Sequence, residues 1–349
     1  MPDPAAAARI AEFPSSEAIQ NLLQDRLRQK LAVGIIVGLI DPQGSRTVAA
    51  GSSGNPARPA VDEQTLFEIG SITKLFTAAA LVDAVAHGKV TLNDPLAKFL
   101  PLPPDGIGDR TLKELATHTS GLPRLPSGFT WWTNLLRHGP DPYAHYTEHD
   151  LQVHLVTLKG RSLPHGRFHY SNLGAGILAN ILASKEKTDY ARLISMRVTG
   201  PLEMPRTYLN LPQSEQSFLA QPYTKSLRPT PVWTMAALAG AGGLLSSMQD
   251  MLRFASAALA ATPPLAASMF EPRASAGRRG CSVGLGWMLR DSEAYQAAWH
   301  NGGTGGSRSF LALELTTHRA VIVLSNTPNS VDHLAAQLLL GPTLAQDFF

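Results

Sequence analysis

Ser71 and Lys74 stand three residues apart in the run Phe67-Glu68-Ile69-Gly70-Ser71-Ile72-Thr73-Lys74-Leu75-Phe76-Thr77-Ala78. Residues i and i+3 share a helical face, so one turn of helix sets the Lys74 amine beside the Ser71 hydroxyl. A hydroxyl is a weak nucleophile until a neighbouring group lowers the cost of removing its proton. The pair therefore has the chemistry that opens an acyl-enzyme reaction. Phe67, Ile69 and Gly70 read as the end of a buried strand, and the mostly apolar run from Leu75 to Val85 as a buried helix. That puts Ser71 at a strand-to-helix junction, where N-terminal amides and the helix dipole favour developing negative charge.

S-x-x-K alone is a short pattern, and an N-cap serine followed by a solvated lysine is spelled the same way. Two further groups follow it in order: Tyr170-Ser171-Asn172, inside Gly166 to Gly174, and His300-Asn301-Gly302-Gly303, inside Trp299 to Gly306. Each has a plainer reading. The first can be a turn with Ser171 or Asn172 capping a helix from Leu173 to Ser184. The second can be a hairpin turn, for which Asn-Gly is a strong signal. The order of the three, with Leu115-Ala116-Thr117-His118-Thr119-Ser120-Gly121-Leu122-Pro123, Gly200-Pro201-Leu202-Glu203-Met204 and Gly242 to Met251, resembles the class C β-lactamase and DD-peptidase superfamily of serine hydrolases. That superfamily also contains esterases and D-aminopeptidases, and the resemblance runs from about residue 30 to residue 340.

The resemblance implies a role at each matched position. Ser71 is the expected nucleophile. Tyr170 is the expected proton acceptor or relay, its phenol drawn down by the charge of Lys74. Asn172 has an amide oxygen and two N–H donors with which to hold Lys74 and a substrate amide. Gly302 and Gly303 are expected to let the backbone approach the substrate, and the amides of Ser71 and Gly303 to form the oxyanion hole. His300 and Asn301 depart from the Lys-Thr-Gly of class C β-lactamases. A histidine with a pKa near 6.5 is charged only part of the time, so carboxylate binding is expected to weaken near neutral pH. Arg124, His300 and Arg308 are the candidate carboxylate-binding cations. Aromatic residues in Phe129-Thr130-Trp131-Trp132-Thr133 and at Trp233 could wall the cleft or sit in the core. His118 reads as a rim loop or a structural helix end.

A different chemistry is spelled by His145-Tyr146-Thr147-Glu148-His149, which fits the zinc-peptidase pattern H-x-x-E-H. Against it, Thr147 and Asp150 form a capping signal for a helix starting at Glu148, which leaves His145 off the helical face.

The 349 residues are 44% hydrophobic and 16% charged, enough for a large core and for one catalytic unit of two lobes. A net charge of +3 without a Lys/Arg cluster gives no support for nucleic-acid binding. The single cysteine, Cys281, has no partner for an intramolecular disulfide and reads as structural. No apolar run is long enough for a membrane span. The first 13 residues lack the basic and apolar regions of a signal peptide, so the expectation is cytoplasmic, or periplasmic or secreted if a leader has been removed.

The pattern predicts a helix over Ser15 to Lys30, with strands at Leu31 to Ile40 and Arg46 to Ala50. Helices and long Pro/Gly-rich loops follow, among them Leu100 to Gly108 and Leu122 to Tyr146. Strands resume at Gly284 to Leu289, Tyr295 to His300, Arg308 to Leu315 and Ala320 to Asn326, before a helix from Val331. The expected fold is α/β (α+β), an antiparallel sheet flanked by helices, with residues 1–70 and 284–349 forming a split domain around a mostly helical lobe, 71–283. The cleft between them is the expected site. The implied activity is hydrolysis of a β-lactam or a D-amino-acid peptide bond through acyl-Ser71, on a small-molecule substrate with no metal or organic cofactor. A carboxylesterase, a penicillin-binding sensor that does not turn over and a zinc peptidase are the alternatives.

Overall fold

The Ser15 hydroxyl accepts from the Ala18 amide and starts helix α1 (Ser16–Arg28), which buries Ile19 and Leu23 on its apolar face. The computed structural model describes residue 10 and residues 12–126, 141–158 and 165–349. Strands β1 (Gly34–Asp41) and β2 (Gly44–Gly51) follow as a hairpin. Strand β3 (Leu66–Glu68) leads through a short turn of 3-10 helix, Gly70–Ile72, into α2 (Thr73–Ala86). Next come α3 (Glu148–Thr157), α4 (Asn172–Lys185), β4 (Thr207–Tyr208), β5 (Leu245–Ser247) and α5 (Met248–Leu259). The chain ends on strands β6 (Ala274–Ser275), β7 (Cys281–Val283), β8 (Met288–Asp291), β9 (Gln296–Gly303), β10 (Arg308–Glu314) and β11 (Arg319–Ser325), and helix α6 (Asp332–Leu340).

The main sheet has the order β2-β1-β11-β10-β9-β8-β7-β6, antiparallel throughout, and β3-β5-β4 form a second, smaller antiparallel sheet. Pairing of β1 with β11, from Ile35 opposite Ser325 to Ile40 opposite Ala320, closes the sheet with strands from the two ends of the chain. Side chains alternate across a strand, so both faces must find cover. Ile36, Leu311, Leu313, Ile322 and Leu324 face a core shared with α2, α4 and α5. Ile35, Val37, Phe310, Val321 and Val323 face a second core closed by α1 and α6. Helices on both faces explain why β1 and β11 are near-continuous apolar runs rather than alternating ones.

Helix α2 is apolar all round and correspondingly sunk among its neighbours, with Phe76 stacked on Phe254 of α5 at 4.3 Å between ring centroids. Where the sequence pattern predicts one strand over Gly284 to Leu289, the chain instead finishes β7 at Val283, turns through Gly286 in a left-handed conformation (φ +78°), and begins β8 at Met288. Strands β6 and β7 are only two and three residues long, too short to leave an alternating pattern. Among the described residues no helix is long and apolar enough to cross a membrane.

Candidate active site

The turn Gly70–Ile72 presents Ser71 at the head of α2, and Lys74 follows on the first turn of that helix. Lys74 Nζ lies 3.1 Å from Ser71 Oγ, 2.9 Å from Asn172 Oδ1 and 2.6 Å from the Ala241 carbonyl oxygen. The last two atoms can only accept, so they take two of the Nζ hydrogens and leave the third Nζ position, an N–H in the ammonium and a lone pair in the free amine, toward Ser71 Oγ. Burial favours that neutral form: Lys74 is 3% exposed, and desolvation, helped by the charge of Arg124, holds its pKa well below the ordinary lysine value. The Ala241 carbonyl left no trace in the sequence reading, because a backbone acceptor places no demand on residue type. It is held in place by Thr77, which donates to Gly240 O, and by Thr73, which accepts from Leu244 N.

Tyr170 lies just before α4. The Ser171 hydroxyl caps that helix by accepting from Gly174 N at 2.9 Å, and donates to Pro123 O at 2.7 Å. The segments 118–124 and 166–173 are stitched together by His169 N to His118 O, Ser171 N to His118 Nδ1, and Asn172 N to Arg124 O. His118 is therefore both structural and close to the site. Its neutral imidazole accepts through Nδ1, and its ring packs on Tyr170 at 4.5 Å. The phenol is not drawn down as expected from the sequence. Burial pushes the Tyr170 pKa up to about 12, a hydrogen bond with Ser71 and the charge of Arg124 offset part of that, and the neutral tendency of Lys74 removes the cation that was to do the work.

The third motif ends β9, which crosses the Gly70–Ile72 turn. Gly70 has φ +50°, and a methyl built on it would stand 2.5 Å from Gly303 N, so glycine is required for the Gly303 amide to come up beside Ser71. A methyl on Gly302 would meet the Ile69 carbonyl oxygen at 2.0 Å. The absent side chain of Gly302 thus serves the crossing of two chain segments. Ser309 Oγ locks the crossing by donating to Ile69 O at 2.7 Å.

His300 is not the part-time cation inferred from its residue type. It is 3% exposed, its Nδ1–H donates to Asn301 O at 2.6 Å, and desolvation by burial, the largest cause, lowers its pKa to about 3. Asn301 lines the cleft while its Nδ2 donates to Asp332 Oδ2. Glu68, which the sequence reading passed over, braces the turn after Gly303. This buried carboxylate accepts from Thr304 Oγ1, Ser307 Oγ and Trp233 N at 2.7–2.8 Å. Its signal was its place within the motif run, but an acid beside a strand end has too many surface readings to stand out.

Ser71, Tyr170, Asn301, Gly302 and Gly303 open onto one cleft of about 460 Å³, together with Arg124 and Arg308. Lys74, Asn172 and His300 lie immediately behind it, as their contacts above define. Phe129 to Thr133 lie outside the described residues, and Trp233 packs at the edge of the core against Tyr143. A larger hollow of about 830 Å³, lined by Arg192, Glu203, Tyr208 and Arg253 among others, holds none of the residues of the Ser71–Lys74, Tyr170–Asn172 and His300–Gly303 motifs. In the H-x-x-E-H segment, Thr147 and Asp150 form a reciprocal capping box, so α3 starts at Glu148 and His145 precedes it. Among the described residues no three His, Cys, Asp or Glu side chains are grouped to hold a metal. Cys281 is half-buried on β7 with Arg290 donating to its sulfur.

A model of the Beta-lactamase family matches residues 19–341. Over 239 residues the chain is 26% identical to a β-lactamase of Pseudomonas fluorescens, a match covering 68% of this chain and 63% of that protein. Over 205 residues it is 34% identical to the D-alanyl-D-alanine-carboxypeptidase/endopeptidase AmpH of Escherichia coli K12, covering 58% of this chain and 50% of the other. The matched region thus spans about half to two-thirds of these curated relatives. The fold is similar to a class C β-lactamase from Rhodobacter sphaeroides, with a TM-score of 0.78 at 21% identity over 95% of this chain and 98% of that one.

Proposed function

Because the chain belongs to the Beta-lactamase family, we propose that it is a serine hydrolase that forms an acyl-enzyme on Ser71 and hydrolyses a β-lactam or D-amino-acid peptide bond. The observation that carries this reading is the set of three contacts to Lys74 Nζ, which in the free amine turns the nitrogen lone pair toward the Ser71 hydroxyl.

In the proposed reaction Ser71 Oγ attacks the substrate carbonyl carbon as its proton passes to Lys74. The carbonyl oxygen becomes an oxyanion that accepts from the amides of Ser71 and Gly303, in the manner of preorganised donors aimed at developing charge. Collapse of the tetrahedral adduct breaks the bond to the leaving nitrogen. That nitrogen takes the phenolic proton of Tyr170, which Lys74 restores with the proton it received. Tyr170 acts here as a proton donor and relay, a role suited to a phenol whose pKa is raised to about 12. Water then attacks acyl-Ser71 by the reverse sequence of transfers. The cleft onto which Ser71, Tyr170 and Gly303 open is the proposed substrate site.

A second reading, a carboxylesterase, is favoured by one observation: His300 is held neutral where class C β-lactamases have a lysine. Intact-protein mass against time separates the readings, with a chromogenic cephalosporin and p-nitrophenyl butyrate as substrates and Ser71→Ala as control. A transient adduct with sustained cephalosporin turnover marks a β-lactamase, and a persistent adduct marks a peptidase or a sensor. Ester turnover without any β-lactam adduct gives the esterase. An adduct or turnover unchanged in Ser71→Ala overturns the scheme.

A further inference from the structure

We propose that Arg124 is the residue that reads a carboxylate on the substrate, so that the cleft selects acyl compounds carrying that anion beside the scissile carbonyl. The inference deepens the proposed function and rests on its placing of the substrate at Ser71.

Arg124 differs from the other basic residues around the cleft in what its side chain already holds. Arg308 points into the same space, but its guanidinium is held by Asp332, with Nη2 2.8 Å from Oδ2 and Nε 3.3 Å from Oδ1. His300 is buried, and its Nδ1–H is committed to the Asn301 carbonyl. Lys74 is enclosed behind Ser71 by Asn172 and Ala241. Arg124 alone lines the cleft with no carboxylate against its guanidinium among the described residues. Of the undescribed residues, 11, 127–140 and 159–164 contain no Asp or Glu and cannot supply a counter-ion, and 1–9 contain a single acid, Asp3. None of the residues lining the cleft is acidic.

The position is also defined. The Arg124 carbonyl accepts from the amides of Asn172 and Leu173, tying the main chain there to the start of α4, and the guanidinium carbon lies 5.5 Å from the centre of the Tyr170 ring. A guanidinium without a counter-ion, on a cleft wall beside the proposed nucleophile, presents a planar fork that matches a carboxylate bidentately. The same charge lowers the basicity of Lys74. A bound carboxylate would neutralise it, so the proposed base strengthens as the substrate seats.

The test is binding rather than turnover, so that it stands apart from the acyl-enzyme reading. N-Acetyl-D-alanine and its neutral amide are titrated calorimetrically into the Ser71→Ala protein and into the same protein carrying Arg124→Gln or Arg124→Lys. The expected result is an acid bound at least tenfold more tightly than the amide, a preference lost in Arg124→Gln and partly kept in Arg124→Lys. Equal binding of acid and amide without any change at position 124, or an acid preference that survives Arg124→Gln, overturns the proposal. Failure of the mass-labelling experiment with the acid preference intact would instead remove the hydrolase reading and leave Arg124 as an anion receptor.

Discussion

At the scale of single residues, the proposed reaction depends on a lysine that gives up its proton readily. Near-complete burial and the charge of Arg124 push Lys74 toward the free amine, and burial likewise favours the phenol form of Tyr170. Lys74→Ala and Tyr170→Phe are each expected to slow acylation of Ser71 at least about a hundredfold, the usual cost of losing a general acid or base, read as the rate of adduct formation by mass. The pH dependence has a definite sign. As pH rises through the depressed Lys74 pKa, the fraction of free amine grows, so kcat/KM climbs and then levels. It falls only as the Tyr170 phenol ionises toward pH 12. His300, with a pKa near 3, stays neutral across the accessible range, so the ascending limb should keep its position in His300→Ala. A limb that moves with that substitution would mean that His300 titrates after all.

At the scale of elements, what matters is the crossing of β9 over the turn that holds Ser71. The crossing needs two glycines, Gly70 and Gly302, and is tied by Ser309 to Ile69 and by Glu68 to the turn beyond Gly303. Gly70→Ala introduces a side chain at positive φ, a strain of about 1–2 kcal/mol, and drives a methyl into Gly303 N. Acylation is expected to fall about a hundredfold, as when one oxyanion donor is removed, with a loss of stability in urea larger than the φ strain alone, because the methyl meets backbone that must shift. A variant that acylates at the normal rate would show that the Gly303 amide is dispensable.

At the scale of the whole molecule, the eight-stranded sheet is held between two cores, and the helical elements that carry Lys74 and Asn172 rest on one of them. Phe310 belongs to the other, fully buried and stacked on Trp299 at 5.7 Å, with Phe348 and Phe349 beside it. Phe310→Ala is expected to cost about 3–5 kcal/mol through lost burial and the cavity left behind, measured as a lower urea midpoint. Because Phe310 follows Arg308 and Ser309 on β10, a large loss there should also loosen the cleft. Equal stability of the variant would mean that α6 and the C-terminal aromatics collapse into the space.

Local pattern carried a good deal of this protein in its sequence. The i, i+3 spacing of Ser71 and Lys74, the Thr147–Asp150 capping signal, the apolar runs of β1, β10 and β11 and the order of three motifs are short-range features, and each reappears in the fold. Three things were decided only by tertiary packing. Burial reversed the expected ionisation of Lys74, Tyr170 and His300, because desolvation depends on what surrounds a group and not on its neighbours in sequence. The close approach of Gly70, Gly302 and Ile69 joins segments more than 200 residues apart, so no local pattern could encode it. Among the described residues, that Arg308 is held by a carboxylate and Arg124 is not follows from Asp332 having reached one of them and not the other, a pairing that exists only once β10 and α6 are side by side.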